Sequence, residues 1–156
     1  MRVLFVCDGN ICRSPLAAAY LRDRAQRCGL PDLVVDSAGL LGIEGAPAAP
    51  FSVDVAADAG LDLTRHRSRG VTPEDVRDAD VLLAMTSTQL ETLALRFPEG
   101  GPTGLLLRAF ERTDTPRRGA PELDDPVDGP IEGYREAFAI MRACIDHLVS
   151  HLKDTP

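Results

Sequence analysis

The alternation of apolar and polar positions divides the chain into short apolar runs and longer segments with helical periodicity. Residues 2–6 (RVLFV) form an apolar run rich in β-branched and aromatic residues, which predicts a buried strand. From Pro15 to Cys28 the apolar positions recur at helical spacing, and Gly29 follows where a helix commonly ends. The nine residues CDGNICRSP, which begin at Cys7, therefore connect a strand to a helix.

The same succession continues along the chain. We predict strands at residues 33–35, 79–85 and 105–107, and helices at residues 52–59, 87–96 and 131–152. Thr72-Pro73-Glu74-Asp75 has the composition of a helix cap and first turn. The polar residues 108–130 predict a long loop, and such a loop inside a compact domain is usually functional or disordered.

Strands that alternate with helices predict an α/β fold with three layers. We expect a four-stranded parallel sheet with helices on both faces, and a ligand at the carboxyl ends of the strands. The last helix carries its apolar residues on one stripe. They are Tyr134, Phe138, Met141, Ile145, Leu148 and Leu152. No repeat or domain boundary interrupts the pattern, so residues 1–156 are predicted to form a single domain.

Composition excludes several classes of function. A net charge of −7 argues against a nucleic-acid partner, which needs a basic face. The sequence contains neither a signal peptide nor an apolar run long enough to span a membrane. Four cysteines without a paired spacing indicate a reduced, cytoplasmic protein. A zinc site is not expected, because no Cys-x2-Cys pair exists and His66, His147 and His151 offer no coherent ligand set.

The stretch from Cys7 to Pro15 has the features of an anion-binding loop. Consecutive backbone N–H groups after the first strand can converge, and Gly9 and Asn10 can adopt backbone conformations that other residues resist. The helix that follows directs its positive end toward the same point. We therefore predict a cradle for a tetrahedral oxyanion.

Cys7 and Arg13 supply reactive chemistry to this cradle. The positive environment, with Arg13 and the Ser14 hydroxyl, favours the thiolate of Cys7, which is the nucleophilic form of cysteine. Arg13 can close the loop and contact two equatorial oxygens while a phosphoryl group is transferred to sulfur.

This segment closely resembles the signature of the low-molecular-weight protein tyrosine phosphatases. The signature consists, in order, of a strand, Cys7, Gly9-Asn10, Cys12-Arg13-Ser14-Pro15 and a helix. The resemblance covers nearly the whole chain. Its other landmarks are Asp36-Ser37-Ala38-Gly39, Gly60-Leu61-Asp62, His66-Arg67-Ser68-Arg69, the ADVLLAM segment at residues 79–85, and Asp125-Pro126.

The resemblance implies a cysteine-dependent phosphomonoester hydrolase that needs no cofactor or metal. In it, Cys7 forms a phosphocysteine, Arg13 holds the phosphoryl group, His66 supports the loop and Asp125 is the general acid and base. The substrate would be a phosphotyrosine protein or a small aryl phosphate, and the chain would act as a monomer or weak dimer. The substrate-binding residues are Asp8, Gly9, Asn10, Ile11, Cys12, Arg13 and Ser14, of which Asn10 and Ser14 shape the loop and support the thiolate.

A general acid is also required on chemical grounds. Phosphomonoester cleavage needs a proton for the leaving oxygen and then a base for the attacking water, and one carboxyl group on a mobile loop can serve both steps. In the acidic segment ELDDPVDG, Asp124 and Asp128 flank Asp125 as like charges. Charge alone favours a solvated acidic loop for this segment, whereas the Asp-Pro landmark favours the catalytic interpretation.

The chain departs from the family pattern at the mouth of the predicted pocket. Leu40-Leu41 and Val127 stand where tyrosine-specific members usually have aromatic residues, which puts selectivity for phosphotyrosine in doubt. Asp8 stands where an apolar or small residue is usual. Asp8 either favours a cationic leaving group, together with Asp124 and Asp128, or points to solvent. Ile11 favours the phosphotyrosine type, because arginine phosphatases of this superfamily tend to carry Thr there.

Alternatives stay open for the remaining cysteines and for the function. Cys12 could form a reversible disulfide with Cys7 or pack beneath the loop, while Cys28 and Cys144 are expected in or near the core. A thioredoxin-coupled arsenate reductase would need two further cysteines near Met85, and the chain has none there. A non-catalytic phosphate-binding module would be expected to lack one of the three predicted catalytic residues.

Overall fold

The structure, a computed structural model that describes residues 1–155, contains one four-stranded parallel sheet. The strands lie in the order β2-β1-β3-β4. They are β1 (Arg2–Cys7), β2 (Val34–Gly39), β3 (Val81–Ala84) and β4 (Leu105–Leu106). The helices are α1 (Arg13–Arg27), α2 (Pro50–Asp58), α3 (Pro73–Asp78), α4 (Ser87–Arg96) and α5 (Ile131–Asp154), with a short 3-10 helix at Leu107–Phe110.

Successive side chains of β1 point into two separate cores, as the period of a strand requires. Val3 and Phe5 join a cluster formed with α1, α2 and α5. Leu4 and Val6 join a second cluster formed with α3 and α4. Both faces of the sheet are therefore covered, which confirms the three-layer α/β architecture and explains why β1 consists almost entirely of apolar residues.

The predicted apolar stripe of α5 is buried along its whole length. All six of its residues are at most 4% exposed: Tyr134, Phe138, Met141, Ile145, Leu148 and Leu152. Helix α5 packs beside α1, where the Tyr20 and Phe138 rings meet edge to face at 5.9 Å. Within residues 1–155, no helix has both the length and the apolar character needed to cross a membrane.

Some predicted boundaries were wrong. Strand β2 extends from Val34 to Gly39, so that Asp36 and Ser37 lie within the strand rather than at the start of a loop. These polar residues are held in the strand because each is in register with a residue of β1. The long loop also begins with the 3-10 helix, and α1 starts at Arg13, two residues before Pro15.

The central position of β1 places Cys7 at the carboxyl edge of the sheet, with β2 and β3 on either side. The chain leaves β1 toward β2 and later crosses back to β3, and such a change of direction is where α/β sheets bind ligands. Gly39 ends β2 directly against the loop that follows Cys7. A Cβ atom at Gly39 would lie 2.8 Å from the Asp8 carbonyl oxygen, so only glycine permits this close approach.

Candidate active site

The loop between β1 and α1 turns at Asn10. Asn10 is fully buried and has a φ of 57°, a left-handed conformation that asparagine adopts more readily than most residues. Gly9 has no positive φ, so the expectation that it would supply an unusual conformation was wrong. A Cβ at Gly9 would meet Ile11 Cγ1 at 3.4 Å, an ordinary contact. Among residues 8–12, Asn10 is therefore the only one in the left-handed conformation.

The Asn10 side chain fixes the loop through three hydrogen bonds. Its Nδ2 donates to Ser14 Oγ at 2.8 Å and to Ser37 Oγ at 2.9 Å. Its Oδ1 accepts from the backbone N–H of Arg69 at 3.1 Å. One buried amide thus joins α1, β2 and the segment before α3, and every hydrogen of Nδ2 has a partner.

His66 supports the same residue from the backbone side. Its Nε2 lies 2.7 Å from the Asn10 carbonyl oxygen. Because a carbonyl can only accept, Nε2 must carry the proton of this hydrogen bond. Burial lowers the pKa of His66 below its usual value, and the bond to Asn10 opposes that effect only in part. Burial therefore favours the neutral imidazole of His66 over its charged form.

Cys7 and Ser14 face each other at the base of the loop. The Cys7 Sγ atom lies 2.9 Å from Ser14 Oγ, and both residues are buried. Ser14 Oγ already accepts from Asn10 Nδ2, so its single proton is free to be donated to the sulfur. A sulfur that accepts a hydrogen bond in this way is stabilised as a thiolate.

Arg13 is almost fully buried and reaches across the pocket. Its Nη1 donates to the Leu123 carbonyl oxygen at 2.8 Å, which anchors the loop before α5. Its Nη2 lies 3.3 Å from Asp125 Oδ2 and 3.4 Å from Asp8 Oδ2. Its Nε is buried and has no hydrogen-bond partner among residues 1–155. Arg13 therefore keeps one N–H available to a bound anion.

Asp125 lies over the pocket on the loop that Arg13 anchors. Its Oδ1 accepts from the Val127 backbone N–H at 3.1 Å, which holds the side chain in a tight turn around Pro126. Its Oδ2 points toward Arg13, and the side chain remains 35% exposed. The carboxyl group is thus near the cavity and open to water, as a group that exchanges protons must be.

The expectation that Asp8 points to solvent was wrong, because its side chain is held by two partners. Its Oδ2 faces Arg13, and its Oδ1 accepts from Gln89 Nε2 at 3.1 Å. Gln89 is buried at the start of α4, and its Oε1 accepts from the N–H groups of Met85 and Thr86. The Gln89 amide is therefore fixed, and its NH2 group must point to Asp8.

Gln89 and Leu123 are contact residues that sequence reasoning missed. The Thr86-x-x-Gln89 spacing is that of a helix capping box, and this cap is present, but it carries no signal of a contact with Asp8. Leu123 contributes only a carbonyl oxygen to the site, which no side-chain pattern can indicate.

The other cysteines differ from Cys7 in their surroundings, and all four are free thiols. Burial raises the pKa of Cys12 to about 11 and that of Cys144 to about 12, so both are protonated thiols at neutral pH. Cys12 Sγ lies 3.7 Å from the Tyr134 hydroxyl, beneath the loop. This placement fits the packed interpretation of Cys12. A disulfide with Cys7 under oxidising conditions stays a prediction.

Seven of the ten predicted site residues line one cavity of 190 Å³. It is lined at the base by Cys7, Cys12 and Arg13 and along the sides by Asp8, Gly9, Ile11, Leu41, Ile43, Asp125 and Val127. Asn10, Ser14 and His66 do not line this cavity, since they act from behind the loop. The walls above the cysteine are aliphatic, and three of their side chains are exposed at the mouth: Leu41, Ile43 and Val127.

The low pKa of His66 predicts a dependence of stability on pH. A group whose pKa is lower in the folded state contributes stability that is present above its unfolded pKa, near 6.5, and is lost as pH falls. In chemical denaturation between about pH 8 and pH 5, the free energy of unfolding of the wild type should therefore fall more than that of His66→Gln. The Gln amide keeps an N–H donor for Asn10 but does not titrate. Parallel profiles for the two proteins would contradict this account of His66.

Comparison with known proteins extends the resemblance to the whole chain. The family model for low molecular weight phosphotyrosine protein phosphatase matches residues 2–155. The Escherichia coli protein named low molecular weight protein-tyrosine-phosphatase Etp is 39% identical over 140 residues, which are 88% of this chain and 91% of that protein. A protein-arginine-phosphatase of Geobacillus stearothermophilus is 37% identical over 153 residues, which cover 97% of this chain and 96% of that protein.

The architecture agrees with solved structures as well. A structure of YwlE arginine phosphatase, a mutant with a phosphorylated active-site serine, superposes with a TM-score of 0.91 at 28% identity. The match covers 99% of this chain and 97% of that one. On the strength of the family model and the full-length relatives, the chain belongs to the low molecular weight phosphotyrosine protein phosphatase family, a family of cysteine-dependent hydrolases.

Proposed function

We propose that this chain hydrolyses phosphate monoesters on proteins, first of all on phosphotyrosine, through a phosphocysteine formed on Cys7. One observation carries the proposal: the Cys7 sulfur accepts from Ser14 at the base of a cavity that also holds the Arg13 guanidinium and the Asp125 carboxyl group. A nucleophile, an anion-binding cation and a proton carrier thus converge on a space large enough for a phosphoryl group.

The cradle supplies donors for three phosphoryl oxygens. In the hydrogen-bond network of residues 1–155, none of the backbone N–H groups of residues 8–12 donates to a protein acceptor. The buried Nε of Arg13 is also without a partner in that network. The 15-residue helix α1 begins at Arg13 and directs the positive end of its dipole toward the same space. Buried donors of this kind suit a dianion.

The reaction has two steps. First, the Cys7 thiolate attacks phosphorus, the bond from phosphorus to the leaving oxygen breaks, and the Asp125 carboxyl group gives that oxygen its proton. Water then attacks the phosphocysteine and passes a proton to the Asp125 carboxylate, and the phosphorus–sulfur bond breaks to release inorganic phosphate and the thiolate. The Arg13 guanidinium, whose Nε has no protein partner among residues 1–155, stabilises the equatorial oxygens in both steps.

We propose that the enzyme acts in the cytoplasm. Four free cysteines agree with a reducing, cytoplasmic environment. The steps above use only side chains of this chain, so we propose activity without a metal or organic cofactor. We also propose that a monomer or weak dimer is the active form. The segment at Met85, which is buried and has no neighbouring cysteine, gives no support to an arsenate reductase relay.

Hydrolysis of p-nitrophenyl phosphate tests the proposal. We expect metal-independent turnover by the wild type under reducing conditions and none detectable for Cys7→Ser, because an alcohol lacks the thiolate nucleophile. Cys28→Ser, at a half-buried position at the end of α1, is the matched control and should keep wild-type kcat/KM. An inactive wild type, or an active Cys7→Ser, would refute the proposed function.

A second candidate substrate, phosphoarginine, is favoured by Asp8. Relatives named arginine phosphatases match the chain over nearly its full length. Asp8 and Asp125 approach the same Arg13 nitrogen and both line the cavity, so the Asp8 carboxylate lies beside the group that protonates the leaving atom. A guanidinium leaving group carries N–H donors that the Asp8 carboxylate can accept, whereas a phenolic oxygen carries none. Ile11 and the aliphatic walls of the cavity do not favour phosphoarginine over phosphotyrosine.

Replacing Asp8 by Leu distinguishes the two substrates. If Asp8 accepts hydrogen bonds from a guanidinium, kcat/KM for a phosphoarginine peptide should fall about 10- to 100-fold relative to kcat/KM for a phosphotyrosine peptide. Asp124 was expected to act together with Asp8, but it does not line the cavity. Asp124→Asn, which removes a nearby charge, should therefore leave that ratio unchanged. A Leu variant with wild-type selectivity would remove the argument for phosphoarginine and leave phosphotyrosine as the proposed substrate.

A further inference from the structure

An apolar groove lies beside the catalytic cavity and takes no part in the mechanism described above. Its volume is 560 Å³, about three times that of the catalytic cavity. We use the name apolar groove for the depression lined by Pro47, Ala48, Pro50, Phe51, Gly129 and Tyr134, with further contributions from neighbouring residues. One wall is the start of α2, and the other is the loop after Asp125 with the first turn of α5.

The apolar groove holds the aromatic residues that the mouth of the catalytic cavity lacks. The rings of Phe51 and Tyr134 meet at 5.5 Å with an angle of 77°, an edge-to-face arrangement. The Phe51 side chain is 39% exposed, so part of its apolar surface faces water. Covering such surface is favourable, which makes the groove a binding surface for an apolar side chain.

The groove adjoins the catalytic cavity. Ile11 and Val127 line both spaces, so these two side chains form their common border. Leu41, which is 66% exposed at the mouth of the smaller cavity, does not line the groove. A polypeptide that inserts its phosphorylated side chain crosses this mouth, and in one direction it passes directly over the apolar groove.

Resting on the proposed function, we propose that the apolar groove binds an apolar side chain of the phosphoprotein substrate, within two positions of the phosphorylated residue. In an extended peptide, side chains two positions apart point to the same side and are separated by about 7 Å. A phosphorylated residue in the catalytic cavity therefore presents a neighbour to the adjoining space.

The charge of the groove also affects which substrate side chain it can bind. Asp128 is the only ionisable acidic residue that lines the groove within the described residues 1–155, and its carboxylate repels an acidic side chain. At the occupied position we accordingly expect leucine to be preferred to alanine, and alanine to be preferred to aspartate. A free phosphate ester without a peptide gains nothing from the groove.

The test compares phosphotyrosine peptides with Leu, Ala or Asp at each of the two positions on either side of the phosphorylated residue. For wild-type enzyme, kcat/KM at one of these positions should be about tenfold higher with Leu than with Ala. In Phe51→Ala this preference should shrink to about threefold or less, because one wall of the groove is lost. Leu95→Ala, at an apolar position of α4 that is 83% exposed and outside the groove, is the matched control and should keep the wild-type preference.

Hydrolysis of p-nitrophenyl phosphate by the same proteins separates the two proposals. Phe51→Ala should keep wild-type kcat/KM for this small ester, which also shows that the variant is folded. Wild-type turnover of the ester with no preference among the peptides would overturn the groove proposal and leave the proposed function standing. A wild type inactive on the ester would overturn both.

A second copy of the chain is the other possible occupant. Sedimentation velocity of the wild type and Phe51→Ala tests for it. A dimer that dissociates in the variant, together with an unchanged peptide preference, would assign the groove to self-association and overturn the proposal. Equal sedimentation coefficients for the two proteins, together with loss of the leucine preference in Phe51→Ala, would support the binding of a substrate side chain.

Discussion

The hydrogen bonds of one buried amide, that of Asn10, hold the active-site loop in its working shape. Asn10 turns the chain through a left-handed conformation, and its side chain is joined to Ser14, Ser37 and the backbone of Arg69. Because Ser14 must accept from Asn10, its own proton is directed to Cys7. The state of the nucleophile thus depends on an asparagine that does not line the cavity, and His66 extends this support from the other side.

Arg13 links the loop to the rest of the site. A buried cation is costly unless it has partners, and Arg13 finds them in the Leu123 carbonyl and in the carboxylates of Asp8 and Asp125. The same contacts hold the Asp125 loop over the cavity. An arriving phosphoryl dianion then meets a guanidinium whose position is already fixed, so little reorganisation is needed when charge develops.

Local pattern was enough to predict much of this arrangement. The strand before Cys7, the cap at Thr72 and the buried stripe of α5 follow from hydrophobic spacing and capping residues, and the structure agrees with each. Strand β2 was predicted too short, because Asp36 and Ser37 favour turns, whereas pairing with β1 decides their conformation. The orientation of Asp8 was not predictable either, since it depends on Gln89, which lies 81 positions away in the chain.

The central claim is that Cys7 carries the phosphoryl group during turnover, and trapping that intermediate tests it most directly. The enzyme would be mixed with excess p-nitrophenyl phosphate, quenched in acid within one turnover, and analysed by peptide mass spectrometry. The account predicts one phosphoryl group on the peptide that contains Cys7, and more of it in Asp125→Asn, where the base that activates water is missing. Steady turnover with no phosphorylated Cys7, or with the phosphoryl group on another residue, would contradict the account.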